Sequence, residues 1–201
     1  EHNKEFMLHC DMRDGEKIFY YTTTGWMMWN WLIGGMATGS SIYLFDGSPT
    51  YPKLDILLEY CQNNNINLFG VSAKCIDHLK TENYSSKNWN LNSIKIITST
   101  GSPLSEESFN YVYENIKKDV HLASIAGGTD MVGCLVLGNL YSSVYKGEIQ
   151  GQSLGIDVDV FNNNGKSTED GEKGELVVKQ PFPSMPIKFW GDKNGEKYHK
   201  A

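Results

Sequence analysis

The sequence predicts an α/β fold: a mainly parallel sheet with helices on both faces, followed by part of a small antiparallel β-barrel or sheet. Two observations carry this. From about Lys17 to Asp130, short apolar runs alternate with segments of helical periodicity, the pattern of strand–helix–strand units. After Leu140 the helical pattern stops, and short strands separated by glycine turns take over. We therefore read residues 1–140 as an α/β unit and 141–201 as part of a β-rich one.

Each element follows from local chemistry. Lys17–Thr22 is rich in aromatics and reads as the first strand. Ser40–Phe45 is the second, closed by Asp46-Gly47-Ser48-Pro49. Leu54, Leu57, Leu58 and Cys61 recur at helical spacing and predict a helix from about Lys53 to about Asn63. Ile66–Val71 is the third strand, and Ser72 caps the helix holding Cys75, Ile76 and Leu79. Ile94–Ile97 is the fourth. Ser105 caps the next helix, with Glu106 and Glu107 placed favourably in its first turn and Phe109, Val112, Tyr113 and Ile116 on its apolar face. The fifth strand, Val120–Ala123, runs into Ser124-Ile125-Ala126-Gly127-Gly128-Thr129-Asp130. There two glycines free the backbone for a turn or for close approach of a ligand. Gly155–Phe161 and Gly174–Val178 are the later strands; Asn162–Gly165 and Glu169–Glu172 are turns, neither with the ligand spacing of a calcium loop.

Composition narrows the function. The 201 residues carry 18 Lys+Arg against 24 Asp+Glu, a net charge of −6, with no basic run. This excludes a nucleic-acid partner, whose recognition rests on clustered cations. No apolar stretch approaches the roughly 18 residues of a membrane span. Cys10, Cys61, Cys75 and Cys134 form no C-x-x-C pair and sit in apolar runs, which predicts free buried thiols in a reducing compartment, the cytoplasm. In that compartment Asn83-Tyr84-Ser85 is discounted as a glycosylation site. His9-Cys10 is the one adjacent His/Cys pair, too little for a metal site. Glu1-His2-Asn3-Lys4-Glu5 is neither a signal peptide nor a start methionine, and reads as the start of a piece of a longer chain.

Three stretches could carry chemistry. Thr22-Thr23-Thr24-Gly25-Trp26-Met27-Met28-Trp29-Asn30-Trp31 packs three tryptophans and two methionines into six positions, more than one helical stripe. It is either a helix start buried all round or the wall of an apolar pocket with indole donors. Thr98-Ser99-Thr100-Gly101-Ser102-Pro103 and Gly127–Asp130 each follow a strand, with one helix between them. Their loops should emerge side by side at one sheet edge, offering a backbone slot, a hydroxyl and a carboxylate. Neither common nucleotide fingerprint and no hydrolase elbow is present.

These stretches, with Phe45–Pro49 and Gly174-Glu175-Leu176, stand in the order and spacing of the acyl-adenylate-forming ligases, and resemble the acetoacetate-activating branch of that family along essentially the whole chain. The resemblance implies ligation of a carboxylic acid, here acetoacetate, to coenzyme A with ATP and Mg²⁺: the carboxylate attacks the α-phosphate, and the thiol then displaces AMP. It implies that Gly101-Ser102-Pro103 packs on adenine, that Gly128 and Thr129 with Asp130 bind the nucleotide, and that Thr129 contacts the α-phosphate. Asp130 takes the place of a glutamate that helps hold Mg²⁺, and Ser102 stands where relatives often carry Glu. Trp26, Met27, Met28, Thr100 and Gly127 would wall the acyl pocket. Gly127 replaces a tryptophan found in acetate-using relatives, which is read as room for a longer acid, and Asn30 or Thr22–Thr24 could donate to the 3-keto group. The family's phosphate loop, adenylation lysine and C-terminal lid have no counterpart here, so the chain alone is expected to be inactive. A ligase for another short acid and a non-catalytic adenylate-like module are the alternatives.

Overall fold

The computed structural model describes residues 1–200. Five strands, β1 (Lys17–Tyr20), β2 (Ser41–Tyr43), β3 (Leu68–Ser72), β4 (Ile96–Thr100) and β5 (His121–Ser124), form one sheet in the order β2-β1-β3-β4-β5. Every pairing in it is parallel. Parallel strands need both faces covered, and both are. On one face α3 (Ile56–Asn64), α4 (Ala73–Thr81) and α5 (Glu106–Tyr111) bury Leu58, Ile76 and Phe109 against Phe19, Phe69, Ile97 and Leu122. On the other lie α1 (His2–Lys4), which widens into a π turn over Glu5–His9, and α2 (Met27–Gly34). They pack Phe6, Met28 and Trp31 on Ile18, Tyr20, Ile96 and Ala123.

Both serine caps form. Ser72 Oγ accepts from Cys75 N at 3.2 Å and Ser105 Oγ from Ser108 N at 3.3 Å, each serving an amide in the first turn of its helix. All four cysteines are free, three of them buried; burial raises their thiols, Cys75 to about 11, so none is a nucleophile at neutral pH.

Two expectations change. Antiparallel pairing begins well before Leu140: β6 (Ala126–Gly128), β7 (Gly133–Leu137) and β8 (Gly151–Gln152) make a three-stranded sheet. A separate antiparallel pair, β9 (Val158–Phe161) with β10 (Glu175–Val178), follows. The Gly127-Gly128 pair therefore lies in a strand, and the turn after it spans Thr129–Val132, closed by Val132 N to Thr129 O at 3.2 Å. Second, the tryptophan–methionine stretch is not buried all round: Met28 and Trp31 are buried, whereas Trp26, Met27 and Trp29 are half-buried because they border two crevices. Among the described residues no helix is long and apolar enough to cross a membrane.

Candidate active site

A parallel sheet places its ligand crevices beyond the carboxyl ends of its strands. Here a cleft of about 410 Å³ opens beyond β4 and β5, within the size range of small-molecule sites. Trp26, Met27 and Met28, from the turn into α2, form one wall. Thr100, Gly101, Ser102, Pro103 and Leu104 enter from the end of β4, and Ser124 to Thr129 from β5 and β6. Gly147 and Ile149 close a further side.

The backbone explains how these pieces meet. Gly101 has φ +90°, a left-handed conformation that glycine adopts without strain, and a Cβ there would lie 3.6 Å from the Trp26 ring. The β4 loop thus turns sharply under the indole. Thr100 Oγ1 donates to Ile125 O at 2.8 Å, and Ile125 N donates to Ser99 O at 2.8 Å, fixing the gap between the two strand ends. Val132, a β-branched residue, holds φ +52°, an uncommon conformation that tightens the turn presenting Thr129 and Asp130. Both are exposed; Thr129 lines the cleft, whereas Asp130 stands outside its lining at the tip of the same turn.

Of the residues singled out from sequence, Trp26, Met27, Met28, Thr100, Gly101, Ser102, Pro103, Gly127, Gly128 and Thr129 all border this one cleft. Leu104, which ends the same loop, borders it too; Gly147 and Ile149 also border it, and their only sequence signal is the glycine in Tyr145-Lys146-Gly147-Glu148. Thr22, Thr23 and Thr24 are elsewhere. With Tyr21, Phe45, Asp46 and Trp29 they line a separate crevice of about 460 Å³ beyond β1 and β2, and Asn30 is exposed.

Gly127 borders the cleft and is also constrained from its far side by β7. A Cβ on it would fall 2.0 Å from Gly133 O and 2.8 Å from Cys134 Cα, inside the backbone of β7. Its missing side chain permits the strand crossing at an irregular step of register between Ala126 and Gly127. Gly128 has no such neighbour: its nearest contact would be Met131 Cγ at 3.6 Å.

None of the residues lining the cleft is charged. Lys146, beside it in sequence, pairs with Glu106 at 3.4 Å. Among the described residues no group of three or more His, Cys, Asp or Glu could hold a metal ion by itself. His9 is committed to the backbone: Nδ1 lies 2.8 Å from Gly138 O and Nε2 accepts from Leu154 N at 3.1 Å.

An α/β domain whose apolar and hydroxyl-bearing loops converge beyond two adjacent strand ends defines a small-molecule-binding domain. The chain belongs to the AMP-binding enzyme family, whose model matches residues 4–185. It is 52% identical over 202 residues to the acetoacetyl-coenzyme A synthetase of Rhizobium meliloti (strain 1021), covering 100% of this chain and 31% of that protein. It is 46% identical to the acetoacetyl-CoA synthetase of Gallus gallus, covering 100% of this chain and 30% of that protein. The solved structure of acetoacetyl-CoA synthetase from Streptomyces lividans superposes with a TM-score of 0.92 at 38% identity, over 99% of this chain and 31% of that one. The chain thus spans about a third of the length of the proteins it matches.

Proposed function

We propose that this chain supplies the acid- and adenine-binding part of an AMP-forming ligase that joins acetoacetate to coenzyme A, acting in the cytoplasm. The observation that carries the reading is the convergence of Trp26, Met27, Met28, Gly101-Ser102-Pro103 and Thr129 on one cleft. In this reading the backbone of Gly101–Pro103 lies along the purine, and the methionines and Trp26 enclose the acyl chain. The carboxylate oxygen bonds to the α-phosphorus, the bond to the β-phosphate oxygen breaks, and pyrophosphate leaves. Thiol attack on the acyl carbon then releases AMP. Thr129 donates to the α-phosphate as charge builds on it.

Mg²⁺ fits the rim rather than the cleft. It binds through one or two carboxylates together with water and phosphate oxygens, and Asp130 offers one exposed carboxylate beside Thr129. When bound, the ion neutralises phosphate charge. Since two anions must meet and the lining is uncharged, the cations that bring them together lie outside these residues. For that reason residues 1–201, assayed alone, should show little or no turnover.

The test is ATP–pyrophosphate exchange by the full-length gene product with acetoacetate, acetate and butyrate in parallel. Exchange depending strongly on acetoacetate is the expected result. Equal exchange with all three removes the substrate assignment, and none from a folded protein removes the ligase reading in favour of a non-catalytic module.

A further inference from the structure

We propose that Glu5 is a positioning residue that holds the two walls of the cleft at a fixed separation and so sets acid selectivity. It is a carboxylate with 0% exposure, embedded in the apolar cluster beneath the cleft. Its two oxygens take two donors from two different elements. Oε2 accepts from Trp31 Nε1 at 2.6 Å, and Oε1 accepts from Cys134 N at 2.8 Å. Trp31 lies on α2, the helix that begins with Met27 and Met28. Cys134 lies on β7, opposite Gly127 in β6. One side chain therefore spans from the helix that starts at the methionine wall to β7, the strand paired with the one carrying Gly127 and Gly128. Met28 and Ile125, which line the cleft, belong to the same cluster.

The local sequence is shaped around this carboxylate. A Cβ on Gly133 would lie 3.0 Å from Glu5 Oε1, so glycine there admits the carboxylate to the strand backbone. Phe6 packs against Trp31 with ring centroids 4.0 Å apart and planes tilted by 34°, fixing the indole that donates to Glu5. Only a carboxylate offers two acceptor oxygens at this spacing. An amide offers one acceptor and turns its NH₂ toward a donor, and an apolar side chain leaves both donors buried and unpaired.

This inference rests on reading the cleft as the acid site. It is tested in the full-length gene product with Glu5→Ala, Glu5→Gln and Leu58→Ala. The last removes a buried side chain from α3, across the sheet from the cleft, and serves as a control for lost stability. Steady-state exchange gives KM for acetoacetate and for ATP, and the kcat/KM ratio of acetoacetate to hexanoate. Glu5→Ala should raise KM for acetoacetate about tenfold while KM for ATP stays within about twofold, with the acid ratio shifted toward hexanoate. Glu5→Gln, which keeps volume and one hydrogen bond, should fall between Glu5→Ala and the unsubstituted protein, and carries the test alone if Glu5→Ala does not fold. Leu58→Ala should lower Tm and leave the acid parameters unchanged. Glu5 variants that lower Tm without moving KM for acid or the acid ratio overturn the inference, while the ligase reading stands. An unsubstituted protein with no acid-dependent exchange removes the ligase reading, and this inference with it.

Discussion

His9 shows how a single residue couples the fold to pH. Its imidazole is buried, and burial holds it below its ordinary value of 6.5, opposed in part by the hydrogen bond to Gly138. Below about pH 6.5 the unfolded chain takes up a proton that the folded chain resists. The stability tied to a neutral His9 is therefore complete above 6.5 and drains away as pH falls toward the lowered folded value. Urea unfolding of the protein at pH 7 and pH 5.5 should show a loss of stability on acidification, and His9→Gln should flatten that difference. Equal slopes in the two proteins would place the acid sensitivity elsewhere. The role of His9 was not legible in the sequence, where it stood beside Cys10 with no metal-ligand spacing. Its partners, Gly138 and Leu154, are more than a hundred residues away in the chain. Glu5 was hidden for the same reason: Asn3 and Lys4 beside it look like surface, and only tertiary packing buries it. Ser72 and Ser105 were legible because a cap is satisfied within three residues.

At the scale of elements, the β6–β7 hairpin is where local reasoning stopped working. Two glycines before Thr-Asp look like a turn, since turn chemistry is read from consecutive residues. The structure pairs them with a second strand instead, and the constraint on Gly127 comes from the backbone of Gly133 and Cys134. A side chain at 127 must push β7 away, whatever acid the cleft holds. Gly127→Ala should cost about 1–3 kcal/mol, as overpacking against backbone does, a fall of several degrees in Tm. Gly128→Ala, whose Cβ meets only Met131 at 3.6 Å, should be close to neutral by the same thermal melt. Equal melting temperatures for the two variants would contradict the pairing. Strand and helix order, by contrast, was readable from periodicity along most of the chain, because parallel strands buried on both faces are short apolar runs between amphipathic helices.

On the scale of the whole molecule, a β2-β1-β3-β4-β5 sheet gathers loops that are far apart in sequence at one set of strand ends. That topology brings Trp26–Met28, Gly101–Pro103 and Gly128–Thr129 around a common space. The convergence of the last two loops was legible, because each followed a strand and one helix lay between them. The placement of Thr22–Thr24 was not: they sit between β1 and α2, and only the packing of α2 decides which crevice they border. In the proposed reaction the acyl-adenylate should occupy the cleft beyond β4 and β5. The most direct measurement is a crystal structure of the full-length gene product with an acyl-sulfamate mimic of acetoacetyl-AMP. The purine should lie along Gly101–Pro103, the Thr129 hydroxyl at the group replacing the phosphate, and the acyl chain against Met27 and Met28. A mimic bound in the crevice of Tyr21, Thr22–Thr24 and Asp46, with the Thr129 cleft left empty, would contradict this placement.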